Sequence, residues 1–294
     1  MRGLLSIVAV TLLVLAAAAS WAFLALNRTV NDEDVPVAKT LLVNGAPKTV
    51  LAVWAHPDDE VTSAGTLARL AREEGARLVL VYMTRGEAAK DLGYTAGQLA
   101  TLRPPEAQAA GRALGAARVV VLDYPDGGLP GVDAAQAQAA IRRIIDEERP
   151  GVIVSFDERV GFYGHPDHAQ VGRWVRAVVD KGLTEQAFPV RRLYQATLPQ
   201  SMIDIALKLV DAFRTRYPRE PGQGLPAPDL AIEIPSQAAA KRAVLDAHVT
   251  QVRIISDVQP YYDRAPAWLY YRLFDREYYA VAVDRTASGG GKAQ

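Results

Sequence analysis

Three of the four histidines in this 294-residue chain fall in two short acidic clusters, Ala55-His56-Pro57-Asp58-Asp59-Glu60 and His165-Pro166-Asp167-His168. Imidazoles and carboxylates gathered in a chain without cysteine point to a nitrogen-and-oxygen metal site with acid–base groups to spare beside it. With Pro166 at a first helical position, His165 and His168 share one face of the opening turn. If the two clusters converge, His56, Asp59 and His168 supply three ligands and leave positions open for water and substrate, the arrangement of catalytic rather than structural zinc. Zn2+ lowers the pKa of bound water to about 7, which makes hydroxide available at neutral pH. Asp58, next to Asp59, is the candidate general base. His165 is the candidate to protonate a leaving nitrogen or hold an oxyanion, and Asp167 the candidate to orient one of the histidines. Two histidines and one carboxylate are also the facial triad of Fe2+ oxygenases, so the residue types leave the metal open. A lone His-Pro-Asp is an ordinary turn with a capping aspartate; two of them, each after an expected strand, argue for a site.

The ends of strands have to position these clusters. Thr49–Ala55 is a continuous apolar run, as for a strand buried on both faces, and His56 follows at its carboxyl end. Pro57 keeps His56 extended and delivers Asp58, Asp59 and Glu60 into the loop that opens a helix over Val61–Glu74. Three adjacent acids there repel one another unless a cation or hydrogen-bond donors neutralise them. Further strands are expected at Arg77–Met83, Arg118–Leu122 and Val152–Ser155, with helices over Pro104–Leu114 and Ala134–Glu148 between them. This alternation predicts right-handed parallel βαβ units: an α/β, Rossmann-like doubly wound, mostly parallel sheet with helices on both faces. In such sheets ligands bind beyond the carboxyl ends of the strands. The Gly-x-Gly-x-x-Gly fingerprint does not follow the first strand, so this architecture implies no dinucleotide. Later, Val171–Val179 and Gln237–Ile254 look helical and Arg191–Ala196 strand-like, while proline-rich Pro218–Pro228 reads as a loop bordering a pocket.

The composition, 50% hydrophobic and 22% charged, is that of a folded protein, and a net charge of zero disfavours a nucleic-acid partner. Leu4 to Leu26 carries no charge and, at 1.5 Å per residue, reaches about 34 Å, enough to cross a bilayer. The same run reads as a signal peptide, with Ala17-Ala18-Ala19 as a small-residue cleavage site, or as a buried helix of a cytosolic protein. Residues 1–26 are thus expected to be a signal anchor or signal peptide, 27–47 a polar linker, 48–285 the catalytic domain and 286–294 a flexible tail. Arg2 before the run and Asp32, Glu33 and Asp34 after it leave the N-terminus cytoplasmic, so the domain is expected outside the membrane, tethered or released.

At both clusters the chain resembles the LmbE/PIG-L-like zinc-dependent N-deacetylases, which remove acetyl from N-acetylglucosamine-type sugars. Ala55-His56-Pro57-Asp58-Asp59-Glu60 matches the family's first motif in full, and His165-Pro166-Asp167-His168 looks like the second. The resemblance implies that His56, Asp59 and His168 are zinc ligands, Asp58 the base, and His165 the acid or oxyanion-stabilising residue. Thr84-Arg85-Gly86-Glu87 looks like the family's turn after the second strand, and Arg103 with Glu106, Ala110 and Leu114-Gly115 resembles its arginine-led helix. Arg103 is then a candidate substrate contact, against a surface or capping role. Asp126, in Tyr124-Pro125-Asp126-Gly127-Gly128, is a candidate to face the sugar, against a plain turn. Lys241–Gln251 resembles a third stretch ending in His-x-Ser-Gln, here His248-Val249-Thr250-Gln251, which makes His248 a candidate at the pocket, against a structural histidine. The resemblance covers about residues 49–254. Beyond it, Tyr261, Tyr262, Trp268, Tyr270 and Tyr271 are expected to pack a core rather than stack on a sugar.

The expectation is a metal-dependent N-deacetylase acting on an N-acetylated amino sugar or its conjugate. One rival is an Fe2+ oxygenase using the same ligands. Another is a non-catalytic, metal-dependent glycan-binding module, against which Asp58 and His165 both argue, since binding alone requires neither.

Overall fold

Alternating apolar runs and amphipathic stretches form the elements in chain order. The structure, a computed structural model, describes residues 2–90 and 93–286; the stretch Ser288–Gln294 expected to be a tail lies outside the described residues. Strand β1 is Thr49–Trp54, β2 Arg77–Thr84, β3 Arg118–Tyr124, β4 Val152–Ser155, β5 Arg192–Thr197, β6 Leu230–Glu233 and β7 Arg276–Asp284. The helices are α1 (Arg2–Val30), α2 (Ala64–Arg72), α3 (Ala96–Leu114), α4 (Ala134–Glu148), α5 (Gly161–Gly164), α6 (Pro166–Gly182), α7 (Gln200–Leu209), α8 (Asp211–Arg216), α9 (Ala238–Ala247), α10 (Val252–Val258) and α11 (Ala267–Leu273).

The strands make one sheet in the order β3-β2-β1-β4-β5-β7-β6, parallel from β3 through β5, with β7 antiparallel to both its neighbours. All of β1 is buried, because its two faces enter different cores. Val50, Ala52 and Trp54 pack with Leu67 of α2, Ala107 of α3 and Val244 of α9, whereas Leu51 and Val53 pack with Ile141 of α4 and Val175 of α6. This is the doubly wound α/β arrangement, and the strand order reverses at β1 and β4, where a crevice opens beyond their carboxyl ends.

Several boundaries differ from the sequence expectation. The helix expected from Val61 is a 3-10 turn over Asp59–Thr62 followed by α2, so the acidic cluster itself is coiled into the turn. Helix α3 starts at Ala96, not Pro104, because Thr95 and Gln98 form a reciprocal capping box upstream. Pro104 and Pro105 lie inside it and forgo two amide donors, and the buried face of Leu99, Arg103, Ala107 and Ala110 holds the helix together. The helix expected over Gln237–Ile254 breaks at His248, whose φ of −88° and ψ of 65° are not helical.

Residues 27–47 are not a bare tether. Val35 and Leu41 are buried, and the Asn27 amide donates to the carbonyls of Arg272 and Leu273 at 3.0 Å. Polar composition suggested a linker, but these few side chains seat the segment, Asn27 on α11, Val35 on Ala231 of β6 and Tyr278 of β7, and Leu41 in the core. Helix α1 is long and apolar enough to cross a membrane over Ser6–Val30, and its apolar stretch lies outside the protein interior. Of the late aromatics, Tyr262, Tyr270 and Tyr271 are buried as expected, while Tyr261 and Trp268 are exposed.

Candidate active site

The loops after β1 and β4 bring both histidine clusters into the crevice. His168 Nε2 lies 3.1 Å from Asp59 Oδ1 and 3.2 Å from His56 Nδ1, and His56 Nδ1 is 3.5 Å from Asp59 Oδ2. Donors on a tetrahedral ion with bonds of about 2.0–2.1 Å stand roughly 3.3 Å apart, so this spacing fits a shared metal. The other ring nitrogens are already engaged. His168 Nδ1 faces the Gly161 carbonyl at 3.2 Å, which makes it the protonated nitrogen and leaves the Nε2 lone pair for a metal. His56 Nε2 likewise faces Asp126 Oδ1 at 2.9 Å and Asp167 Oδ2 at 3.3 Å, leaving Nδ1 free to coordinate. His165 with His56 and His168, or His56 with Asp126 and Asp167, also present donors within 4.8 Å of one another. Both sets are weaker, because His165 Nδ1 accepts the Asp167 amide and the two aspartates are taken up by His56.

Electrostatics agree with this division. Burial disfavours charge on His56, yet Asp59, Asp126 and Asp167 outweigh it and hold its pKa well above that of an ordinary imidazole. Burial would raise Asp59, but His168 and His56 outweigh it and hold the carboxyl well below its usual range. A divalent ion bound between these groups would take the place of a proton on the imidazole.

Local structure fixes each group. Two backbone amides, Ala55 and His56, donate to Asp59 Oδ2 at 3.0 and 2.8 Å. His168 lies flat on Phe156, with centroids 4.3 Å apart. Asp157 accepts four successive amides, Arg159 through Phe162, and so holds the loop whose Gly161 carbonyl orients His168. At Gly161, φ is +62° and a Cβ would overlap the Ala169 amide nitrogen, so glycine is required.

Asp58 sits beside these candidate metal ligands with φ 112°, a conformation few non-glycine residues adopt. Its carboxylate accepts from Arg103 Nη2 at 2.8 Å, and burial pushes its pKa up to about 6 even though Arg103 pulls the other way. The Arg103 guanidinium also donates to the carbonyls of Pro57 and Gly86, and a Cβ on Gly86 would overlap it. His165 caps α6 by accepting the Asp167 amide on Nδ1 at 3.2 Å, so Nε2 carries its proton. Burial, reinforced by His168 and His56, lowers its pKa to about 2 and keeps the ring neutral.

The residues expected at the sugar face inward instead. Asp126 has a 6% exposed side chain and is spent on His56 and the Ala88 amide. Arg103 is 3% exposed and spent on Asp58, and His248 has no exposed surface, its Nε2 lying 2.5 Å from Glu60 Oε1. Asp167, expected among the catalytic groups, has a 1% exposed side chain and accepts from the Gly127 and Leu129 amides. It orients His56 of the other cluster rather than a histidine of its own. The loop over Pro218–Leu225 does border a cleft of about 380 Å3, but none of the motif residues lines it. Sequence reading missed Phe156, Asp157 and Tyr163, whose ring meets His168 edge-on at 5.1 Å. Their only signal was their place in the loop between β4 and His165.

Comparison with known proteins bears on this geometry. The family model described as GlcNAc-PI de-N-acetylase (PIG-L) matches residues 51–179, which span both clusters. A 1D-myo-inositol 2-acetamido-2-deoxy-alpha-D-glucopyranoside deacetylase of Nakamurella multipartita is 34% identical over 250 residues, 73% of this chain and 83% of that protein. The enzyme of the same name from Rhodococcus opacus is 34% identical over 70% of this chain and 82% of its own length. Among solved structures, N,N'-diacetylchitobiose deacetylase from Pyrococcus horikoshii superposes with a TM-score of 0.56 at 22% identity, over 80% of this chain and 84% of that one. A 4-carboxy-2-hydroxymuconate hydratase from Pseudomonas putida KT2440 superposes with a TM-score of 0.58 at 18% identity, over 81% and 97% of the two chains. One fold therefore hosts different reactions, and fold alone does not assign one. Sequence identity across most of both chains does assign kinship: this chain belongs to the PIG-L family of de-N-acetylases.

Proposed function

We propose that this protein is a zinc-dependent hydrolase that removes the acetyl group from an N-acetylated amino sugar or its conjugate. The observation that carries the reading is the convergence of His56 Nδ1, Asp59 and His168 Nε2 within 3.5 Å of one another, with the Asp58 carboxylate beside them. Bound there, zinc supplies a Lewis acid that acidifies water and polarises the acetyl carbonyl. Asp58, 14% exposed and with a pKa near 6, takes the proton of the attacking water and returns it to the departing amine nitrogen. His165, neutral and protonated on Nε2, donates a hydrogen bond to the carbonyl oxygen as charge develops on it. Asp126 and Asp167 keep His56 in the tautomer that offers Nδ1. Relatives named as deacetylases of a glucosamine-inositol conjugate support an amino-sugar substrate.

The test is amine release from N-acetylglucosamine and from its inositol conjugate, alongside metal analysis of the purified chain. Stoichiometric acetate and free amine, lost on chelation, restored by Zn2+ and undiminished without oxygen, are expected. Failure to release amine from any acetylated sugar by zinc-loaded protein would refute the reading, and oxygen uptake would favour the oxygenase.

The same reading includes a location. Helix α1 holds the catalytic unit at a membrane, on the side opposite the N-terminus, as supported by its uncharged run and by acids Asp32, Glu33 and Asp34 after it.

A further inference from the structure

Asp58 N–H donates to Glu60 Oε2 at 3.1 Å, and the other oxygen of that carboxylate meets His248 Nε2 at 2.5 Å. Glu60 and His248 have no exposed surface, so neither charge has water to fall back on. Two residues further, the Thr250 amide and hydroxyl both donate to the Glu106 carboxylate, each at 2.8 Å. Glu106 follows Arg103 by one turn on α3, and Arg103 returns to Asp58 Oδ2 at 2.8 Å. The contacts close a ring through three segments that lie far apart in sequence, around residues 58–60, 103–106 and 248–250.

We infer that this ring exists to hold the Asp58 carboxylate where it can act, so that Glu60, His248, Thr250 and Glu106 are positioning residues for the base. The inference rests on the role given to Asp58 above. Backbone at φ 112° is strained in a non-glycine residue and persists only where its surroundings over-determine it. Asp58 has no side-chain cap of its own, and the ring grips it from both sides, by its amide and by its carboxylate. The ring makes no hydrogen bond to the three metal ligands: Asp59 is held separately by the Ala55 and His56 amides, and His168 by Gly161. A fault in the ring should therefore misplace the base and leave metal binding intact, which a general structural role would not do.

The variants are His248→Leu, which removes the imidazole donor to Glu60 Oε1, His248→Gln, whose amide still reaches that carboxylate, and Thr250→Val at the far side of the ring. Each is measured in the full chain for kcat and KM on N-acetylglucosamine, for bound zinc, for Tm and by crystallography. Because misplacement by about 1 Å costs on the order of 100-fold, His248→Leu should lose 10- to 100-fold in kcat with KM within about twofold and zinc unchanged. His248→Gln should recover about tenfold of that, and Asp58 in the leucine variant should leave the left-handed region. Wild-type kcat in folded His248→Leu, or loss of zinc in step with kcat, would overturn the inference. If the leucine variant does not fold, Thr250→Val decides: unchanged kcat and Asp58 φ reject the ring, and a several-fold loss of kcat at constant KM and zinc supports it. If the wild type releases no amine from any acetylated sugar, the deacetylase reading fails by itself, and the Asp58 backbone in the variants still decides the ring.

Discussion

Asp58 and Asp59 are neighbours with the same side chain and opposite fates. Asp59 receives two amides and two imidazoles and is held anionic; Asp58 is turned by its left-handed backbone toward Arg103 and the mouth of the crevice. Substitutions should separate them. Asp58→Ala should retain zinc and lose at least about 100-fold in kcat, the span usual for a general base. His168→Ala should lose zinc, because it removes a proposed ligand whose other nitrogen is already committed to Gly161. Metal content and kcat measured together on both variants check this, and an Asp58→Ala protein with wild-type turnover would remove Asp58 from the mechanism.

At the scale of elements, the base of the sheet is tied to α4 by charge. Glu148, at the end of α4, accepts from Arg77 of β2 at 2.9 Å and from Arg118 of β3 at 2.8 Å. Burial would raise its carboxyl, but the two guanidinium groups outweigh it and hold the pKa below the ordinary 4.5. A folded-state pKa below the unfolded one gives stability that is complete above about 4.5 and lost as pH falls through the folded value. Glu148→Gln should therefore lower stability at neutral pH by up to about 1 kcal/mol, in keeping with a partly exposed pair. That gap to the wild type should close below about pH 4.5, as followed by thermal melts over pH. A gap that stayed constant to low pH would mean that packing, not charge, links these elements.

For the whole molecule, the mounting of α1 matters as much as its apolar length. Asn27 and Asn31 donate to the Leu273 carbonyl, the Asp32 amide donates to the Tyr278 hydroxyl, and Ser201 donates to the Val30 carbonyl, so the helix leaves the domain through a fixed joint. The full chain should float with phospholipid vesicles, and a chain lacking residues 2–26 should remain soluble, folded and active. Equal flotation of both forms would show that α1 is not the anchor.

The sequence by itself determined the chemistry and the sheet that presents it. His56-Pro57-Asp58-Asp59 and His165-Pro166-Asp167-His168 are local strings, and the apolar runs before them end where β1 and β4 end, because strand length and burial are written in consecutive residues. What only the tertiary structure decided is which polar groups spend themselves on one another. Arg103, Asp126 and His248 looked like substrate contacts, yet each is consumed by a partner supplied from a distant segment: Asp58, His56 and Glu60. A buried hydrogen bond has no sequence period, and its partners can lie nearly two hundred positions apart, as Glu60 and His248 do. The same holds for Asn27, whose contacts with α11 turned an expected tether into a joint. Periodicity reports which face of an element is buried, but only the folded chain reports what a buried polar atom meets there.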